Sequence, residues 1–126
     1  VTNELIEMTD WELLDLGIQI VRNHLTQEGK RITEWQSNLG VDPNIWFEDS
    51  DGWHWIVVRT ARYPELHAPI PPNIAALKEF LSAKSDSGFF ASVAIAGSGR
   101  KLFRKKERFL YRGRGLRVRA DDLRPL

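Results

Sequence analysis

The chain has 126 residues, 42% of them hydrophobic, so it is long enough for one domain with a core that needs no covalent staple. It has no cysteine, which excludes disulfide scaffolds, thiol nucleophiles and cysteine-ligated zinc and fits a reducing, cytoplasmic setting. The net charge of +1 hides a polarity: residues 1–99 hold 7 Lys and Arg against 14 Asp and Glu, whereas residues 100–119 hold ten cations and one acid, Glu107.

No apolar run approaches the roughly 18 residues of a membrane helix, and the N-terminus lacks the order of a secretory signal. Met8 is the one methionine, so residues 1–8 read as a leader or as sequence added ahead of the domain. The first element is a helix over 10–28. Thr9 and Glu12 have capping-box spacing, Met8 and Leu13 sit where a hydrophobic staple belongs, and Leu14, Ile18, Val21 and Leu25 recur at helical spacing. Gly17 within that stripe costs about 1 kcal/mol relative to alanine, which implies a close neighbour. Gly29 supplies the stop.

Strands follow over 31–36, 45–48 and 53–61. The last two flank Asp49-Ser50-Asp51-Gly52, whose Asp-Gly pair suits the positive φ of a hairpin turn. Pro64 ends the third strand. Pro71 and Pro72 open a helix over 73–83, with Ile74, Leu77 and Leu81 on one face. A strand over 89–96 puts Phe89, Ala91, Val93 and Ile95 on one face and Phe90, Ser92, Ala94 and Ala96 on the other. Residues 97–107 form a basic link. Residues 109–112 and 116–119 flank Gly113-Arg114-Gly115 as a last hairpin, with Leu116 and Val118 facing the core. The expected fold is α/β (α+β): a single domain with a central mixed sheet of four to six strands and two main helices.

The order helix, three strands, helix, strand resembles the core of the restriction-endonuclease-like, or PD-(D/E)XK, superfamily over about residues 9–96. The resemblance rests on that order and on Val41-Asp42-Pro43-Asn44-Ile45-Trp46, followed after the hairpin by Trp55-Ile56-Val57-Val58-Arg59. It implies an Asp at the start of the second strand and an acid-x-Lys pair on the third, which together hold a divalent metal and activate water. Asp42 takes the place of that Asp. Val57 and Arg59 stand where the acid and the lysine belong, and Glu12 matches a helix acid that some members use. Mg²⁺ needs carboxylate oxygens, which valine lacks, and an arginine with pKa above 12 is no base. A catalytic reading therefore needs Asp42 with a migrated acid, Glu48 or Glu34.

Other constellations are less specific. Asp49-x-Asp51-Gly52 starts like a calcium loop, but the glycine falls at position four and Thr60 at twelve, so a solvated turn is the reading and no metal site is assigned. His24, His54 and His67 are single, and no serine or cysteine nucleophile pattern accompanies His54. Trp53 and Trp55 share a strand face with Arg59 and form a candidate surface patch for stacking, against the commoner use of such tryptophans as core. Gly97-x-Gly99-Arg100-Lys101 lacks the spacing of a phosphate loop. No cofactor is implied.

The most distinctive feature is the basic segment. Arg100, Lys101, Arg104, Lys105, Lys106, Arg108, Arg112, Arg114, Arg117 and Arg119 interleave with Phe103, Phe109 and Tyr111, a pattern that neutralises phosphates and stacks bases. The leading expectation is a non-catalytic protein that binds DNA or RNA. The alternative is a protein-interaction module, immunity-type or accessory to a mobile element, using the acids Glu48, Asp49, Asp51, Asp10, Glu12 and Asp15 or an aromatic patch around Trp53 and Trp55. Neither reading fixes an oligomeric state.

Overall fold

The computed structural model describes residues 8–97 and 116–126. Thr9 caps the first helix, α1 (Asp10–Gln27): its Oγ1 accepts from the Glu12 amide at 3.2 Å, and Glu12 Oε1 accepts from the Thr9 amide at 3.1 Å. The reciprocal pair satisfies two amides that the first turn leaves without helical partners. At the other end the Glu28 amide donates to the carbonyls of the last turn and Gly29 takes φ +81°, so the helix stops there. The stripe Leu13, Leu14, Ile18, Val21 and Leu25 is buried. A Cβ on Gly17 would lie 2.7 Å from Thr60 Cγ2, which explains the glycine: α1 lies close against the sheet there.

The sheet is mixed and six-stranded among the described residues. Strand β1 (Arg31–Trp35) pairs antiparallel with β2 (Ile45–Asp49), and β2 with β3 (Gly52–Arg62). The β2–β3 turn is tight, with Asp49 opposite Gly52, and Gly52 alone in it takes positive φ, +111°. Helix α2 (Ile74–Leu81) then carries the chain across the sheet, so that β4 (Gly88–Gly97) runs parallel to β3. It is shorter than the helix expected over 73–83.

The two faces have separate cores. Toward α1, Ile45, Phe47, Ile56, Val58, Ala91, Val93 and Ile95 join the helix stripe. Toward α2, Trp46, Trp55, Val57, Ala61, Phe90 and Ala94 pack with Leu81 and, at the rim, with Ile74 and Leu77. A single α+β domain with a helix on each face of one sheet results, and the alternation read in β4 is realised on both sides.

Beyond β4 the edge differs from expectation. Strand β5 (Leu116–Ala120) pairs antiparallel with β4, and β6 (Arg124–Pro125) continues along the same edge. Between the two pairings β4 spans two residues, Ala91 and Ser92, and the edge spans three, Asp121 to Leu123, with the Asp121 amide donating to the Ser92 carbonyl at 3.0 Å. The expected hairpin partner at 109–112 lies outside the described residues. Val118 is 46% exposed rather than core.

Candidate functional site

The position that the family resemblance singles out is closed by an ion pair. Arg59 Nη1 and Nη2 donate to Asp42 Oδ1 and Oδ2 at 3.0 and 2.7 Å, a forked arrangement in which Asp42 keeps 11% side-chain exposure. Nη1 also donates to the Val58 carbonyl at 2.9 Å. The loop that presents Asp42 is tied to β3, since the Asn44 amide donates to the Ile56 carbonyl at 2.9 Å and Asn44 Oδ1 accepts from the Val58 amide at 2.7 Å. The Asp42-Pro43 bond is cis. Val57, two residues before Arg59, is fully buried under α2. Beside Arg59 a cleft of about 250 Å³ is lined by Asp10, Leu13, Asn38 to Val41, Asn44, Thr60 and Arg62. Arg62 is paired with Asp10 at 2.9 Å.

The other expected acids are dispersed. Glu12 turns back to Thr9 in the capping box. Glu48 pairs with Arg31 at 3.0 Å, and Glu34 lies on exposed β1 at the far edge of the sheet. Among the described residues no group of three or more His, Asp or Glu side chains is arranged to hold a metal ion.

At the opposite end of β3 the structure joins Asp49 and His54, both noted in the sequence, to Ser87, a serine that sequence reading did not pair with His54. His54 is buried at 7% exposure, with Nδ1 2.6 Å from Ser87 Oγ and Nε2 2.7 Å from Asp49 Oδ1. Lys30 Nζ donates to Asp49 Oδ2 at 3.0 Å. The bonds from His54, then from Lys30, hold the Asp49 carboxyl well below the usual carboxylate range, against the desolvation that would raise it. Asp49 and His54 flank the hairpin turn, so that contact was legible; Ser87 is 33 residues from His54 and arrives only because β4 pairs with β3.

The tryptophan patch needs correction. Trp55 is fully buried and donates its Nε1 hydrogen to the Ser85 carbonyl at 3.2 Å, so it is core and unavailable for stacking. Trp53 is 38% exposed with Lys84 over its ring at 5.1 Å, and Lys84 also lies 4.3 Å from the Trp46 ring centroid. Of the ten basic candidates, Arg117 and Arg119 fall on β5, both exposed at the sheet edge, and Arg119 Nε lies 3.8 Å from Asp121. Arg100, Lys101, Arg104, Lys105, Lys106, Arg108, Arg112 and Arg114 lie outside the described residues. Among the described residues no helix is long and apolar enough to cross a membrane.

A family model described as a domain of unknown function, DUF8840, matches residues 11–126, nearly the whole chain. No curated protein and no solved structure matches it.

Proposed function

The chain belongs to the DUF8840 family, a domain of unknown function, and from that premise we propose that it is a cytoplasmic nucleic-acid-binding accessory protein on a restriction-endonuclease-like frame, non-catalytic toward the nucleic acid. The observation that carries the reading is the basic run: ten Lys and Arg within residues 100–119, the last two of which, Arg117 and Arg119, stand exposed on edge strand β5. Such a run attracts phosphates and releases their counterions, while Phe103, Phe109 and Tyr111 offer faces for unpaired bases. The loss of cleavage is supported by the forked Arg59–Asp42 pair and by the apolar Val57. A carboxylate neutralised in this way is a poor ligand for a hard cation.

Removing the C-terminal segment would strip β5 and β6 from the sheet, so charge removal is the cleaner test. Arg100, Lys101, Arg104, Lys105, Lys106 and Arg108 are replaced together by glutamine, and fluorescence anisotropy follows binding to a labelled duplex and a labelled single strand. The expected result at about 50 mM salt is a loss of affinity on the order of 100-fold or more, with thermal unfolding unchanged. Equal affinity of the two proteins would overturn the reading. Absence of binding by both would direct attention to a protein partner.

A further inference from the structure

Asp49, His54 and Ser87 come from three different stretches, the end of β2, the start of β3 and the residue before β4, and their side chains form one continuous hydrogen-bond chain. The direction of that chain follows from chemistry. An ionised carboxylate only accepts, so the His54 nitrogen facing Asp49, Nε2, carries the hydrogen. In the neutral imidazole Nδ1 is then the acceptor, and the Ser87 hydroxyl donates to it. A hydroxyl aimed at a neutral imidazole nitrogen, with the far nitrogen oriented by a carboxylate, is the arrangement that activates a serine; here the two ring nitrogens exchange their usual roles.

Each member is held in place. His54 stacks on Phe47 at 4.8 Å and meets Phe89 at 5.9 Å, which fixes the ring plane. Lys30 anchors the acid at its other oxygen. The Ser87 amide donates to Ser85 Oγ at 3.0 Å, and the Ser87 carbonyl accepts from the Trp55 amide at 3.1 Å. Gly88 lets the chain pass directly over the Trp55 indole, where any Cβ would collide with the ring. Ser87 is partly exposed, whereas the side chain of the histidine behind it keeps 9% exposure.

We infer that Ser87 is a nucleophile activated by His54 and that it forms an acyl-serine with carboxylic esters at the end of the sheet remote from Asp42. Ser87 Oγ attacks the ester carbonyl as its proton passes to His54 Nδ1. The C–O bond to the leaving alcohol breaks, and the alcohol takes that proton. Water, losing a proton to the same nitrogen, then hydrolyses the acyl-serine to the acid and restores the hydroxyl. Asp49 is a positioning residue in this scheme.

The test uses the intact chain with a fluorophosphonate probe, which bonds phosphorus to Oγ and releases fluoride, and with p-nitrophenyl acetate as the ester. Peptide mapping is expected to place the label on Ser87. Ester turnover should fall to background in Ser87→Ala, and labelling should slow by about 100-fold or more in His54→Gln, the contribution of a general base. His54 is buried, so its replacement is paired with a second control: wild-type protein in urea should lose the labelling. No label on Ser87 in the folded wild type, or equal labelling in urea or in folded His54→Gln, would overturn the assignment.

Discussion

Arg59 and Asp42 neutralise each other across 2.7 and 3.0 Å contacts, with Asp42 nearly enclosed and Arg59 about a third exposed. Removing the arginine leaves a carboxylate with little access to water. The cost lies between that of a surface pair and a buried one, so Arg59→Ala should destabilise by about 1–3 kcal/mol in urea unfolding. A double-mutant cycle with Asp42→Ala should return a coupling of at least about 0.5 kcal/mol, and additive single effects would show that the pair does no such work. Asp49 makes a different prediction. Its folded carboxyl titrates below its ordinary value, because of His54 first and Lys30 second, so the unfolded chain takes up the proton at higher pH. The resulting stability is fully present above the ordinary value, about 3.9, and is lost as pH falls through the depressed folded value. Asp49→Asn should therefore lower the unfolding midpoint at pH 7, and its gap to wild type should narrow below about pH 4. A gap that stays constant into strong acid would contradict the assignment.

At the level of elements, α1 settles on the sheet through Gly17, and Thr60 Cγ2 occupies the space a larger residue would need. On an exposed helix an alanine there would gain about 1 kcal/mol of propensity. Here overpacking works against it, and Gly17→Ala should destabilise by about 1 kcal/mol or more. Thr60→Ser, which deletes the obstructing methyl, should recover most of the loss; stabilisation by Gly17→Ala alone would refute the close approach. The same elements show what local sequence carries. The capping box fixed the start of α1, the Asp-Gly turn located the β2–β3 hairpin, and the two-residue period of β4 assigned its faces correctly, since each signal lies within a few residues. The edge was harder to read. Val118 alternates like a core residue yet stands exposed, and β6 is too short to have a period. Ser87 reaches His54 only through parallel pairing of strands separated by a helix. Trp55 and Trp53 share a strand face, but only the first lies under Ser85 and the second core, so parity alone could not tell core from surface.

Over the whole molecule, ion pairs within the body contrast with a basic run in the sequence near the C-terminus. In the body, Lys30, Arg31, Arg59 and Arg62 are paired with Asp49, Glu48, Asp42 and Asp10, while Arg22 and Lys84 lie over tryptophan rings. The body's cations are thus largely engaged within the fold, and Asp10, Asp42, Glu48 and Asp49 have partners that a basic protein would have to displace. The ten cations of residues 100–119 share that stretch with one acid, Glu107; Arg119 lies 3.8 Å from Asp121, and β5 brings the end of the run to the edge of the sheet. Exposed charge on an edge strand also opposes the addition of further strands, so the segment serves the fold as well as the proposed ligand. The most direct test is the salt dependence of duplex binding by the intact protein. With about six phosphate contacts, the logarithm of affinity should fall against the logarithm of salt with a slope near −5, a loss on the order of 10³ between about 50 and 200 mM. Undetectable binding at the lower salt, or an affinity indifferent to salt, would contradict a nucleic-acid function for the basic edge.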